Sequence, residues 1–137
     1  RGSGKIMVVS SVAAFSPPSS IHALYGPIKT FINRFSDSIN INYNHKGITS
    51  TAVCPGFTVT GFHTASGVQD EMDRVPKFMK FSAKRVASEA VEATLSGKSL
   101  CVPTKTYKIL VFILKHIPES VMSIFGKGLA PGRYDKK

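Results

Sequence analysis

Apolar and polar positions alternate in blocks along the chain, and these blocks predict an alternation of strands and helices. Residues 5–11 form a short apolar run after Gly4, which predicts a strand buried on both faces. From residue 24 to residue 39, apolar side chains recur with the spacing of one face of an amphipathic helix. Pro27 is compatible with the first turn of this helix, and Gly47 would end it.

The second half of the chain continues the alternation. Residues 48–54 are rich in β-branched side chains and stop at a Pro-Gly pair, which predicts a second strand. Residues 57–81 show no single period, so we expect a long excursion that contains a short helix at 70–79. Excursions of this length are usually functional.

A second helix and a third strand follow the excursion. Ser82 is a good cap for a helix through Ser96. Its inward side chains would be Val86, Ala90, Val91 and Leu95. Residues 99–104 predict the third strand, and residues 106–126 predict an apolar C-terminal helical segment that is interrupted by Pro118.

The order of these elements predicts an α/β fold with about three parallel strands and crossover helices. In such sheets, ligands bind beyond the carboxyl ends of the strands. Ser10 and Ser11 follow the first strand, and Pro55 and Gly56 follow the second. We therefore expect these four residues to lie at one edge of the sheet.

Composition narrows the function classes. A chain of 137 residues with 42% hydrophobic residues is expected to form one folded domain. The net charge of +10 is scattered, and it leaves open a basic soluble surface, attraction to lipid or a charged cofactor. Without a helix-turn-helix signal or an aromatic–basic patch, no nucleic-acid partner is expected.

Cysteine and histidine usage excludes two further classes of site. Two cysteines do not form a disulfide framework, and the four histidines lack ligand spacing, so we expect reduced thiols and no metal. Cys54 is interpreted as an inert packing thiol rather than a nucleophile. Because the chain opens without a signal peptide, a cytoplasmic location is expected, with a membrane-peripheral one as the alternative.

Tyr25 and Lys29 are the side chains best suited to proton transfer. They are four residues apart at the start of the first predicted helix and so share one face. An ammonium group near a phenol favours the phenolate, which tunes the phenol toward proton transfer. By spacing alone, the pair could equally be a packing tyrosine and a solvated lysine.

Three segments together resemble the short-chain dehydrogenase/reductase family. They are the strand end with Ser11, the Tyr-x-x-x-Lys of Tyr25 and Lys29, and the Pro-Gly segment at 54–60. The strand and helix order resembles the C-terminal half of that family's Rossmann-like fold across residues 1–137. The resemblance implies an NAD(P)-dependent oxidoreductase that interconverts carbonyls and alcohols.

The resemblance also implies a role for each matching residue. Tyr25 would donate a proton to the substrate carbonyl, Lys29 would assist it and bind the nicotinamide ribose, and Ser11 would polarise the carbonyl. The implied cofactor-binding residues are Tyr25, Lys29, Pro55, Gly56, Thr58 and Thr60. Thr58 stands where the family usually has Val or Ile.

Other expectations follow from the same resemblance. The family's glycine-rich phosphate-binding turn would belong before Arg1, so we expect the N-terminal half of the fold to be absent and this fragment to be inactive by itself. NADP or NAD would be the cofactor, and the 57–81 excursion would cover an apolar substrate. The helix at 23–44 would join two subunits of a homo-oligomer.

Two alternatives are left open. The apolar C-terminal stretch at 107–125 would either pack on the sheet and a partner subunit or lie on a membrane surface, because residues 108–115 are too few to span a bilayer. The chain could also be a non-catalytic binding or membrane-peripheral module that retains the motif.

Overall fold

A computed structural model describes residues 2–17, 24–60, 75–118 and 120–121. In chain order, its strands and α-helices are β1 (Gly4–Val9), α1 (Tyr25–Tyr43), β2 (Ile48–Val53), β3 (Thr58–Val59), β4 (Phe81–Ser82), α2 (Ala83–Leu95), β5 (Leu100–Cys101) and α3 (Lys105–His116).

The main sheet has the strand order β1-β2-β5, and both pairings are parallel. Gly4 pairs with Ile48 at the start of β1, and Val9 pairs with Val53 at its end. Strand β5 pairs with β2 only at the end of β2. The predicted α/β class with three parallel strands is thus confirmed.

The prediction that the first strand is buried on both faces is wrong for the described part of the chain. Strand β1 lies at an edge of the sheet, and its Ile6, Met7 and Val9 side chains are exposed. The apolar composition of β1 is typical of a strand covered by helices on both faces. Within the described residues, however, no further strand pairs with its outer edge. An uncovered apolar edge of this kind favours association with another chain.

Helix α1 is fixed to the middle strand by polar groups. The hydroxyls of Ser36 and Ser50 are 2.7 Å apart and fully buried. The Asn40 carboxamide accepts a hydrogen bond from the Ser50 N–H and donates one to the Ser50 carbonyl, both at 2.7 Å. Asn40 thereby satisfies backbone groups of β2 that precede its pairing with β5.

Gly47 ends the turn after α1 as predicted. It adopts a left-handed conformation with φ of 73°. A Cβ there would also lie 2.8 Å from the Gly2 carbonyl oxygen, so the position requires glycine for space as well as for conformation.

Helix α2 begins at the predicted cap, because the Ser82 hydroxyl accepts a hydrogen bond from the Arg85 N–H. Val86 and Ala90 are buried as expected, whereas Val91 and Leu95 are exposed. The side chains buried in their place are Ala93 and Thr94. The buried face of α2 differs from the predicted one because the prediction used the largest apolar residues. The small side chains that are buried instead allow the helix to lie close to the sheet.

The excursion between β2 and α2 contains a feature that the sequence analysis did not predict. Strands β3 and β4 form a short parallel ladder, with Thr58 opposite Phe81. Of the helix expected at 70–79, the described part is a single 3-10 turn, Lys77–Met79, and residues 70–74 lie outside the described ranges. The third strand is also shorter than expected, because only Leu100–Cys101 pairs with β2.

Helix α3 closes one end of the core. Tyr107 and Val111 are buried with Cys54 and Val102 in one apolar cluster. The start of the helix is tied to α2 by Glu89, whose carboxylate accepts hydrogen bonds from the Thr104 N–H at 3.0 Å and the Lys108 ammonium at 3.4 Å. Among the described residues, no helix has the length and apolar character needed to cross a bilayer.

Candidate active site

The carboxyl ends of β1 and β2 lie side by side. The Ser10 N–H donates to the Val53 carbonyl at 2.7 Å, and the Val12 N–H donates to the Pro55 carbonyl at 3.0 Å. The serine segment and the Pro-Gly segment are therefore joined by backbone hydrogen bonds. This is the edge at which parallel sheets bind ligands.

Ser11 begins a 3-10 turn, Val12–Phe15, immediately after β1. Its hydroxyl oxygen accepts a hydrogen bond from the Ala13 N–H at 3.1 Å, and the residue is largely buried. A hydroxyl that accepts one hydrogen bond still has its proton to donate. Ser11 can therefore donate to a carbonyl oxygen at this edge.

The first turns of α1 are fixed against the serine segment. The Thr30 hydroxyl donates to the Ala14 carbonyl at 2.9 Å. The Lys29 ammonium donates to the Val9 carbonyl at 3.2 Å, and the buried Ser10 hydroxyl donates to the Lys29 carbonyl at 2.9 Å. These contacts bring Lys29 to the end of β1, beside Ser11.

Tyr25 and Lys29 form a pair on one face of α1. The Lys29 ammonium lies 5.5 Å from the centre of the Tyr25 ring, within the range of a cation–π contact. The Tyr25 side chain is 47% exposed, so a ligand can reach it. The ammonium has three donors, of which the contact with Val9 uses one.

A second Tyr–Lys pair lies at the other end of α1. The Lys46 ammonium is 5.7 Å from the Tyr43 ring, and Tyr43 is 46% exposed. Tyr43 is the last residue of α1 and Lys46 lies before β2, so this pair lies at the amino end of a strand rather than at a carboxyl end. It offers a matched control for the first pair.

Gly56 has a structural role that the sequence analysis did not foresee. A Cβ atom built on it would lie 2.0 Å from Cζ of Tyr107, inside the phenol ring. The phenol ring of Tyr107, on α3, therefore occupies the space into which a side chain at position 56 would project. The Cβ side of Gly56 faces Tyr107, and packing alone is a sufficient reason for glycine at this position.

Tyr107 holds the Pro-Gly turn from the opposite side of the core. Tyr107 is only 1% exposed. Its hydroxyl accepts a hydrogen bond from the Phe57 N–H at 3.0 Å and donates one to the Met79 carbonyl at 2.9 Å. Burial raises the pKa of its phenol. The sequence pattern predicts one apolar segment at 107–125. The only signal for the role of Tyr107 is its polar hydroxyl among apolar neighbours, because a buried hydroxyl needs hydrogen-bond partners.

Thr58 and Thr60 continue the segment beyond the turn. The Thr58 hydroxyl donates to the Gly56 carbonyl at 3.1 Å, which stabilises the turn. Thr60 follows β3 and is exposed. The structure thus joins Thr58 to the Pro-Gly turn, and it leaves Thr60 farther along the excursion.

Cys54 lies close to this edge but is suited to packing. Its thiol is fully buried and lies 3.4 Å from the Asn33 carboxamide oxygen. Burial raises the pKa of the Cys54 thiol, although hydrogen bonding with Ser10 and Asn33 partly offsets this effect. A thiol of this kind is a poor nucleophile. No group of three or more potential metal ligands occurs within the described ranges.

The donors at this edge fit one end of a nicotinamide nucleotide. The Ser11 hydroxyl, the Tyr25 phenol and the remaining Lys29 donors match a carbonyl oxygen and a ribose diol. The Phe57 N–H is already bonded to Tyr107 and is not available for phosphate. The side-chain donors present therefore have the chemistry to bind a nicotinamide and its ribose.

Residues 1–71 match the family model for short chain dehydrogenases. The chain belongs to the short-chain dehydrogenase family. The matched residues include Ser11, Tyr25, Lys29 and the Pro-Gly pair.

Individual relatives agree with this assignment. Hydroxynaphthalene reductase-like protein Arp2 of Metarhizium anisopliae is 36% identical over 66 residues, which cover 48% of this chain and 25% of that protein. The "Probable oxidoreductase EphD" of Mycobacterium tuberculosis is 27% identical over 137 residues, covering 90% of this chain and 23% of its own length. The chain thus spans about a quarter of these relatives.

Solved structures have the same fold. The short-chain dehydrogenase of Sphingobium yanoikuyae in complex with NADPH superposes with a TM-score of 0.69 at 22% identity, covering 89% of this chain and 46% of that one. The angucycline C-6 ketoreductase LanV with bound NADP gives a TM-score of 0.57 at 20% identity, covering 74% and 42%. Both likenesses bear on the fold alone.

Proposed function

We propose that this chain supplies the catalytic edge of an NAD(P)-dependent oxidoreductase that interconverts a carbonyl and an alcohol. The observation that carries the proposal is the position of the Tyr25–Lys29 pair. Lys29 is hydrogen-bonded to Val9, the last residue of β1, and its ammonium faces the Tyr25 ring. A proton donor and a cation at the end of β1, two residues before Ser11, support a catalytic role at the edge where this fold binds ligands.

Each residue has a role that its contacts support. When bound, the nicotinamide nucleotide supplies or accepts the hydride. In the direction of reduction, the Tyr25 phenol donates its proton to the carbonyl oxygen, and it takes the proton back in oxidation. The Ser11 hydroxyl donates a hydrogen bond to the same oxygen. Lys29 stabilises the phenolate and donates to the ribose hydroxyls through the donors that Val9 does not use.

The cofactor-binding part of the proposal includes Pro55, Gly56, Thr58 and Thr60. The Pro-Gly turn would form the floor under the nicotinamide, held in place by Tyr107. Relatives of this fold bind NADPH or NADP, which supports a nicotinamide nucleotide here. We further propose an apolar carbonyl or alcohol substrate, because the Phe78 side chain of the excursion is exposed. Met79 and Phe81 pack against the core cluster of Tyr107 instead. Phe62, Val68 and Met72 lie outside the described residues.

Helix α1 supports a proposal on assembly. Its Phe31 and Phe35 rings stack with their centres 6.3 Å apart, and both are exposed. We propose that this face joins two copies of the chain. Sedimentation should show a dimer that Phe35→Asp converts to monomer, and a monomeric unmodified chain would contradict the proposal.

The nucleotide proposal can be tested on the chain itself by NMR titration. Reduced nicotinamide mononucleotide carries only the portion that these residues fit, and adenosine monophosphate is the control ligand. We expect the mononucleotide to shift the amide signals of residues 11–13, 25–26, 28–29 and 56–58, and adenosine monophosphate to leave them unchanged.

Two lysine variants sharpen this titration. Lys29→Met removes donors from the proposed site, and loss of charge-assisted hydrogen bonds should weaken binding about tenfold or more. Lys46→Met removes the matched ammonium beside Tyr43 and should leave binding unchanged. Equal effects of the two substitutions, or equal shifts with both ligands, would reject the proposed site.

A further inference from the structure

Helix α3 presents an exposed apolar face that the catalytic proposal does not use. Its inner side chains, Tyr107 and Val111, are buried in the core. On the opposite face, Ile109, Phe112 and Ile113 are exposed, and Phe112 is 64% accessible. The three are spaced three and four residues apart or adjacent, so they form one stripe on the outer surface.

Cations border this stripe at both ends. Lys105 lies in the first turn of α3, and Lys115 lies in the last turn. The helix has no acidic residue, and a lysine in the first turn is opposed by the helix dipole. Lys108 is paired with Glu89 of α2. The Lys115 ammonium lies 5.0 Å from the centre of the Phe15 ring, but this contact uses none of its hydrogen-bond donors, so Lys105 and Lys115 can still donate to an external partner.

The charge distribution favours an anionic lipid surface over a protein partner. We propose that the outer face of α3 binds an anionic membrane surface, with Phe112 and its neighbours among the acyl chains and Lys105 and Lys115 at the headgroups. The chain as a whole carries a net charge of +10, which adds to the attraction. A second copy of the chain would place the same charges against each other, which disfavours self-association through this face.

The dimensions of the helix limit the binding to the membrane surface. Its 12 residues extend about 18 Å at the rise of an α-helix, less than the thickness of a bilayer core. Because Tyr107 and Val111 remain in the protein core, only the outer stripe can enter the lipid. The helix would therefore lie parallel to the membrane, and this inference is independent of the catalytic proposal.

Single-tryptophan variants test the proposal directly, because the natural chain has no tryptophan. Phe112→Trp places a reporter on the stripe. Leu95→Trp is the matched control on α2, where Leu95 is 65% exposed. Vesicles of equal parts phosphatidylglycerol and phosphatidylcholine, or of phosphatidylcholine alone, are added to each variant, and brominated acyl chains report on depth. Circular dichroism verifies that both variants fold.

We expect the anionic vesicles to shift Phe112→Trp emission to the blue and brominated chains to quench it, with neither effect for Leu95→Trp. The double variant Lys105→Gln/Lys115→Gln should bind roughly 30-fold more weakly, at the usual contribution of a lysine at an anionic surface. The double variant Lys46→Gln/Lys98→Gln, with the same loss of charge elsewhere, should bind nearly as well as the natural chain.

Three results would overturn the proposal. One is an equal response of the two tryptophan variants to vesicles. Another is equal binding to vesicles of phosphatidylcholine alone, since this would remove the role of charge. The third is a concentration-dependent blue shift of Phe112→Trp without lipid, which would assign the stripe to self-association.

Discussion

The two halves of the candidate active site differ sharply in how they are held. The Pro-Gly turn is enclosed, because the Tyr107 ring fills the space beside Gly56. The Tyr107 hydroxyl also accepts a hydrogen bond from the Phe57 N–H and donates one to the Met79 carbonyl. The Tyr25–Lys29 pair lies on the outer part of α1, about half exposed, and is anchored through Lys29 and its neighbours. The Pro-Gly turn is thus held by core contacts, whereas the Tyr25 phenol is accessible from outside.

This difference matches the demands of the proposed chemistry. A surface that supports a planar ring must keep its shape, whereas a group that transfers a proton must meet its substrate. We therefore expect substitutions in the turn to reduce the stability of the fold, and substitutions in the Tyr–Lys pair to affect ligands with little effect on stability.

Gly56→Ala is expected to have the largest effect. Its Cβ would overlap a buried ring whose hydroxyl is bonded at two points, so neither the ring nor the turn can move without losing contacts. We expect a destabilisation of about 3 kcal/mol in chemical denaturation. The control is Gly4→Ala, where the nearest atom is 4.0 Å away. Similar losses for both variants would contradict the account.

Tyr107→Phe should have the next largest effect. It keeps the ring beside Gly56 but leaves the Phe57 N–H and the Met79 carbonyl without their partner. We expect a loss of about 1–3 kcal/mol. Hydrogen exchange at the Phe57 amide should accelerate at the same time. An unchanged exchange rate would show that the hydroxyl does not hold the turn.

The enclosed half should also weaken at high pH. Burial raises the pKa of Tyr107 above its ordinary 10.0 and the pKa of Cys54 and Cys101 above their ordinary 9.0. The folded state therefore keeps protons that the unfolded state releases, and stability falls as the pH rises above 9. Denaturation midpoints measured on both sides of this pH test the direction. Tyr107→Phe should lose less stability above pH 10 than the natural chain does. An identical dependence of stability on pH would contradict the assignment of this loss to Tyr107.

Tyr25→Phe should have the smallest effect on stability. The side chain is about half exposed, and substitutions at such positions usually change unfolding free energy by less than about 0.5 kcal/mol. Tyr43→Phe, at the same exposure on the same helix, is the matched control. A loss above 1.5 kcal/mol, comparable with Tyr107→Phe, would remove the contrast between the two halves.

The sequence predicts the order of elements and the edge at which the site lies. The strand ends at Ser11 and at Pro55, together with the helical start at Tyr25, were sufficient because parallel strands bring their carboxyl ends together. It could not predict which faces are covered. The exposure of β1 depends on what lies beside it, and the burial of Ala93 in place of Val91 depends on how closely α2 approaches the sheet.

Contacts between distant parts of the chain were also beyond prediction. The reason for glycine at position 56 is the ring of Tyr107, 51 residues away along the chain. The β3–β4 ladder has only two pairs, too few to leave a periodic pattern in the sequence. Asn40, which completes the hydrogen bonding of β2, resembles any other polar residue of an amphipathic helix until the fold is known.

The most direct test of the account is to locate the nicotinamide ring relative to the two halves of the site. Intermolecular NOEs can be measured between reduced nicotinamide mononucleotide and the labelled chain. The account predicts contacts from the nicotinamide protons to both the Tyr25 ring and the Pro55 side chain. Contacts with only one of these, or with the Tyr43 ring in their place, would contradict the claim that they face a single ligand.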